Sequence, residues 1–168
     1  MKTTLYSNII RRSVQVPNSR KRAKIVELIA KKVEHKTEHW HVGEMMVETG
    51  FIDKEGLFFP IEYLSDVRED GELKLDYSKG RNTPDGDIFL SQLIRSRVLD
   101  KEKELIGRAY DFEIYVAKKP WMVWKILVEP KGLNPHKKRM RINTKYVEDI
   151  LPNKIILNDS FNLKGEDD

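Results

Sequence analysis

Two stretches of the chain decide how it is read: TEHWHVGEMMVETG at residues 37–50 and KPWMVWKILVEPKG at residues 119–132. Each runs Trp, x, Val, then two apolar residues, Val and Glu. Sliding the chain on itself by about 81 to 84 residues extends the match in both directions. Val14 meets Val98, AKIVELIA at 23–30 meets GRAYDFEI at 107–114, and YLSDV at 63–67 meets YVEDI at 146–150. Ile61 is set against Ile142, and Leu73 and Leu75 against Ile155 and Leu157. The offset drifts where loops tolerate insertion. A repeat this long exceeds a solenoid unit and suits a small domain.

Each half reads as strands. Apolar and polar residues alternate in WHVGEMMVE, LFFPI, ELKL and KIIL, in short runs between Gly, Pro, Asn and Asp breakers. Such pieces make a small antiparallel barrel or sandwich. A helical turn is expected at IEYLSDV and at NTKYVEDI. DYSKGRNTPDGD, rich in turn formers, reads as a linker. The expected fold is all-β: two small β-barrels in tandem, packed as a pseudo-dimer, with short helical turns. Repeat one spans 1–78, the linker 79–87, repeat two 88–160 and an acidic tail 161–168. Domains of about 70 residues bury too little surface to be robust alone, so two of them gain by covering each other.

The 168 residues are 39% hydrophobic and 35% charged, and no apolar run reaches the length of a membrane span. No secretory signal is expected at the N-terminus. The absence of cysteine excludes disulfides, thiolate metal ligands and a thiol nucleophile, and suits the cytoplasm. The net charge of +4 is unevenly spread. Met1–Val26 carries seven basic residues and no acidic one, and Pro130–Val147 carries six and none. Between Asp53 and Asp76 the sign reverses. Arg20, Lys21 and Arg22 in one repeat, and Lys137, Lys138 and Arg139 in the other, form a candidate basic patch at hairpin tips. Without interleaved aromatic platforms, such tips would hold phosphates weakly and without regard to sequence.

Other chemistry is thin. His35, His39 and His41 are the best metal candidates, but the stretch is studded with charges, and surface histidines are the expected reading; no metal or cofactor is assigned. Glu69 with Asp70, and Glu62 with Asp66, lack the apolar surroundings that would split their acidities. The hydrolase, phosphate-loop and dinucleotide motifs are missing, so no catalytic residue and no enzymatic activity is expected. The informative feature is where the copies disagree. His41 and Gly43 of the first become Met122 and Trp124 of the second, giving one strand face apolar bulk in a single copy. Met122 and Trp124, with Phe51 and Phe58 of the FIDKEGLFFP hairpin, are the candidate partner-binding residues. Packing between the repeats is the other reading of Trp124.

The second half resembles the PRC-barrel domain. Leu90, Leu93, Val98, Ile106, Gly107, Asp111, Val128, Val147 and Ile150 carry the likeness: an opening Leu-x-x-Leu-Ile, an Ile-Gly-[Lys/Arg]-x-x-Asp stretch, a Val-rich strand and a closing Val-x-x-Ile. The first half is similar more loosely, with Ala23 in place of the Gly and Glu27 in place of the Asp. The resemblance implies six-stranded barrels and a binding role. It further implies a protein-interaction adaptor, resembling archaeal stand-alone members that act in cell division with the membrane-anchoring SepF protein and the FtsZ ring. A SepF-like partner is therefore expected, recruiting a cytoplasmic chain to the membrane or division site, and further association of chains is left open. The alternative is a ribosome- or RNA-associated assembly factor binding through the basic tips.

Overall fold

The computed structural model describes residues 2–15, 22–31, 39–49, 55–64, 73–74, 80–132 and 138–162. Among them the backbone is mostly β. The first half runs β1 (Thr3–Leu5), a single helical turn α1 (Tyr6–Ile9), β2 (Ser13–Gln15), β3 (Arg22–Lys31), β4 (Trp40–Thr49), β5 (Glu55–Pro60), a 3-10 turn (Ile61–Tyr63) and β6 (Leu73–Lys74). The second half repeats the order with β7 (Ile88–Phe89), α2 (Leu90–Leu93), β8 (Arg97–Leu99), β9 (Leu105–Tyr115), β10 (Trp121–Pro130), β11 (Met140–Asn143) and a 3-10 turn (Thr144–Tyr146). It ends in β12 (Val147–Leu151) and β13 (Lys154–Leu157).

Alternation makes these strands half-buried. In β10, Trp121, Val123, Ile126 and Val128 enter the core while Met122 and Trp124 stay half-buried on the other side. The rhythm breaks once, at Trp124, where the β9–β10 register slips between Val123 and Lys125. Gly43 marks the same slip in the first half, where Ile29 opposes Glu44 but Ala30 opposes Val42. An extra residue at such a bulge turns its side chain out of the ladder. Gly43 and Trp124 are therefore equivalent positions with opposite bulk.

Among the described residues the strands join in one sheet, ordered β12-β13-β8-β9-β10-β4-β3-β2-β6. The halves meet edge to edge at β4 and β10, where Trp40 opposes Val123, His41 opposes Met122 and Val42 opposes Trp121. Exchanging the halves leaves this pairing unchanged, with His41 and Met122 at its centre. Parallel pairs recur too, Val14 with Leu73 and Val98 with Ile155. The expectation of a β-rich fold with short helical turns holds, whereas the strand order stays open and does not close into a barrel. One alignment is corrected: Met45 opposes Phe59 and Ile126 opposes Ile142, so Ile142 corresponds to Phe59 and Thr144 to Ile61.

The N-terminal arms of the halves are exchanged. β1 pairs with β9, Leu5 opposing Glu113, and β7 pairs with β3, Phe89 opposing Ile29. A single contiguous core results, with Trp40, Trp121, Phe112, Leu28 and Ile9 fully buried. The segment between the halves is tied down as well. Glu44, 4% exposed, accepts hydrogen bonds from the Asp85 and Gly86 amides (2.7 and 2.8 Å) and from Arg81 (3.0 Å). Three donors on one carboxylate compensate its removal from water.

Candidate functional site

Two of the buried carboxylates, Glu27 and Asp111, hold the exchanged arms. Asp111 accepts from the Ser7 amide (3.1 Å) and hydroxyl (2.5 Å) and from the Phe112 amide (2.8 Å). Glu27 accepts from the Ser91 amide (3.1 Å) and hydroxyl and from the Leu28 amide (3.0 Å). Ser7 and Ser91 lie in the first turns of α1 and α2, whose amides have no partner within so short a helix. Each half thus caps the other half's helical turn. Glu27 reaches further than Asp111 and also accepts the Tyr6 hydroxyl at 3.2 Å. Burial, then the Glu27 charge and that hydrogen bond, push the Tyr6 phenol far above its ordinary acidity range. With three donors on Asp111 and four on Glu27, these carboxylates serve as structural clamps.

The face of the sheet opposite the core carries a different grouping at the junction of the halves. Register lines up Thr3, Tyr115, Met122, His41 and Lys31 across β1, β9, β10, β4 and β3. Beside this row the Trp124 ring stacks on His39, centroids 4.7 Å apart and planes 12° apart, and Tyr115 leans on it at 6.0 Å. Thr144, buried beneath, donates its hydroxyl to the Val123 carbonyl at 2.6 Å. The His39 Nδ1 lies 2.9 Å from the same hydroxyl oxygen, within hydrogen-bond distance. Burial first and the Lys145 charge second hold the His39 imidazole below its usual pKa. Trp124 belongs to the second half and His39 to the first, so the stack also packs the halves together.

The other residues singled out from the sequence fall elsewhere. Phe58 is 8% exposed, opposes Met46, and its amide and carbonyl bridge to Arg81 at 2.9 and 2.8 Å. Phe51, Arg20, Lys21, Lys137 and His35 lie outside the described residues. The backbone of Arg22 opens β3. Lys138 and Arg139 are exposed, and the Arg139 guanidinium sits 4.8 Å from the centre of the Tyr110 ring. Among the described residues no group of three or more His, Asp and Glu could hold a metal, and no helix is long and apolar enough to cross a membrane.

Sequence reasoning did not single out Ser7, Ser91, Tyr6, Glu44, Tyr115 or Thr144. A signal for the first pair existed, because the offset that matches Glu27 to Asp111 also matches Ser7 to Ser91. His39 and Trp124 leave no such trace, since their contact is between unlike positions of the two halves. Comparison of the chain with protein-family models and with curated proteins finds no match.

Proposed function

We propose that the chain is a non-enzymatic adaptor that engages a protein partner on the face carrying Trp124 and Met122. The observation behind this reading is the flat stack of Trp124 on His39, half-buried and held on the side of the sheet away from the core. A large aromatic already fixed in the free protein loses little further entropy on binding. Tyr115 and Met122 beside it supply further apolar area of the kind that dominates interface hot spots. Both halves build the surface, so the joined sheet is what presents it. The PRC-barrel resemblance supports the same reading and gives it its most specific form: tandem PRC-like barrels acting in archaeal cell division, with a SepF-like partner. A ribosome- or RNA-associated role keeps the exposed Lys138 and Arg139 in its favour. Against it, Arg139 covers the Tyr110 face on which a base would stack.

Titrating a purified SepF-like division protein against the wild type and Trp124→Ala tests this form. Loss of about 30-fold or more in affinity, with cooperative melting retained, is expected of a hot-spot Trp. Equal binding by both proteins removes Trp124 from the contact, and binding by neither removes the division assignment.

A further inference from the structure

We infer that the second half carries a separate docking surface for an acidic, extended peptide segment of a partner, on the face of β13, β8 and β9. Register sets Lys154 beside Arg97, Arg97 opposite Arg108, and Leu151 opposite Lys154. Directly opposed residues share a face and lie close enough to interact, and like charges in that arrangement repel. Arg97 and Arg108 are exposed, and among the described residues no carboxylate forms an ion pair with Arg97, Arg108 or Lys154. Arg108 instead donates to the Arg95 carbonyl at 3.1 Å, and Arg95, itself exposed, is held at a left-handed φ of 71°.

The fold does not require this row. At the equivalent place in the first half, Ser13 opposes Lys24 and Lys24 opposes Glu48, a polar set without opposed cations. The second half keeps the acidic neighbour, Glu129 opposite Arg108, and adds the cations. A ligand with negative charge relieves the repulsion that folding leaves in place.

An acidic peptide fits better than nucleic acid. Leu151, one of two exposed large apolar residues among the described residues, lies at the end of the row next to Lys154 and offers an apolar contact that a phosphate backbone does not use. The nearby rings are already engaged, Tyr110 under Arg139 and Tyr146 between Phe161 and Lys145, which leaves bases no free platform. Strands about 4.8 Å apart spread three cations over about 10 Å, and same-side residues of an extended peptide recur about every 7 Å. Two acidic residues at i and i+2, flanked by an apolar residue toward Leu151, match that spacing.

The test is fluorescence anisotropy with a labelled peptide of alternating Glu and Leu, its Gln counterpart, and a single-stranded oligoribonucleotide of equal charge. The full-length wild type is compared with Arg97→Ser/Arg108→Lys, which installs residues the first half already tolerates, and with Trp124→Ala. The expected result is binding of the Glu peptide that weakens at least about tenfold in the double variant, falls with added salt and survives Trp124→Ala, with no binding of the Gln peptide. Three results each overturn the proposal: no binding of the Glu peptide by the wild type, equal binding by the double variant, or preference for the oligonucleotide.

Discussion

Ser91 belongs to the second half of the chain, yet its backbone amide lies 3.1 Å from Glu27 Oε1 in the first. Ser7 and Asp111 repeat the relationship in the opposite direction at 3.1 Å. Each half is thereby completed by an arm of the other, and the clamp forms only when both are folded.

Removing one clamp should destabilise the whole chain. Asp111→Ala leaves the Ser7 amide, part-buried, and the Phe112 amide, buried, without their acceptor, at a cost of about 2 to 4 kcal/mol. Ser7→Ala, which removes only a hydroxyl, should cost about 1 kcal/mol. Urea unfolding followed by fluorescence and by far-ultraviolet circular dichroism should show both losses in one shared transition. Separate transitions for the two halves would show that the arms do not couple them.

Gly107 marks a close backbone approach. A Cβ there would lie 2.1 Å from the Glu129 carbonyl oxygen, whereas its counterpart Ala23 carries a Cβ and is fully buried. Backbone cannot yield as a flexible side chain does, so Gly107→Ala is expected to cost about 1 to 3 kcal/mol, while Ala23→Gly costs at most about 1 kcal/mol through chain entropy. Measured denaturation midpoints decide the asymmetry; equal effects would contradict it.

The His39 stack should be sensitive to acid. The folded pKa lies below the ordinary value of 6.5, so as pH falls through and below 6.5 the unfolded chain takes up the proton first and stability declines. Above that value the contribution is fully present. Lys145 and His41, the charged and titratable groups that lower it alongside burial, act in the same direction. His39→Phe keeps a stacking ring without a proton to gain. Its stability should fall less than the wild type's between pH 7.5 and 5.5, measured by urea unfolding, and an equal fall would exclude His39 as the sensor.

Much of the fold was legible because it is written twice. Trp40 and Trp121 fix the correspondence, and period-two alternation locates the long strands. Helical turns of four residues, Tyr6–Ile9 and Leu90–Leu93, leave no periodic signal, because so short a segment has no room for a 3.6-residue period. The exchange of arms was invisible, since the sequence that pairs β1 with β9 would serve equally within its own half. Trp124 was found as the point where the copies differ. Its partner His39 reads from sequence as a surface histidine, because a contact between unlike positions of two repeats follows from how the halves meet rather than from any local pattern.

The most direct test of an adaptor built around Trp124 is quantitative affinity capture from a nuclease-treated native lysate, with wild type and Trp124→Ala compared at equal loading and shown to melt alike. The expected result is a discrete protein retained by the wild type, resistant to nuclease, and lost with Trp124→Ala. Identical retention by the two proteins, or retention only of ribosomal components that nuclease removes, would contradict it and shift the functional surface to the basic residues around Lys138 and Arg139.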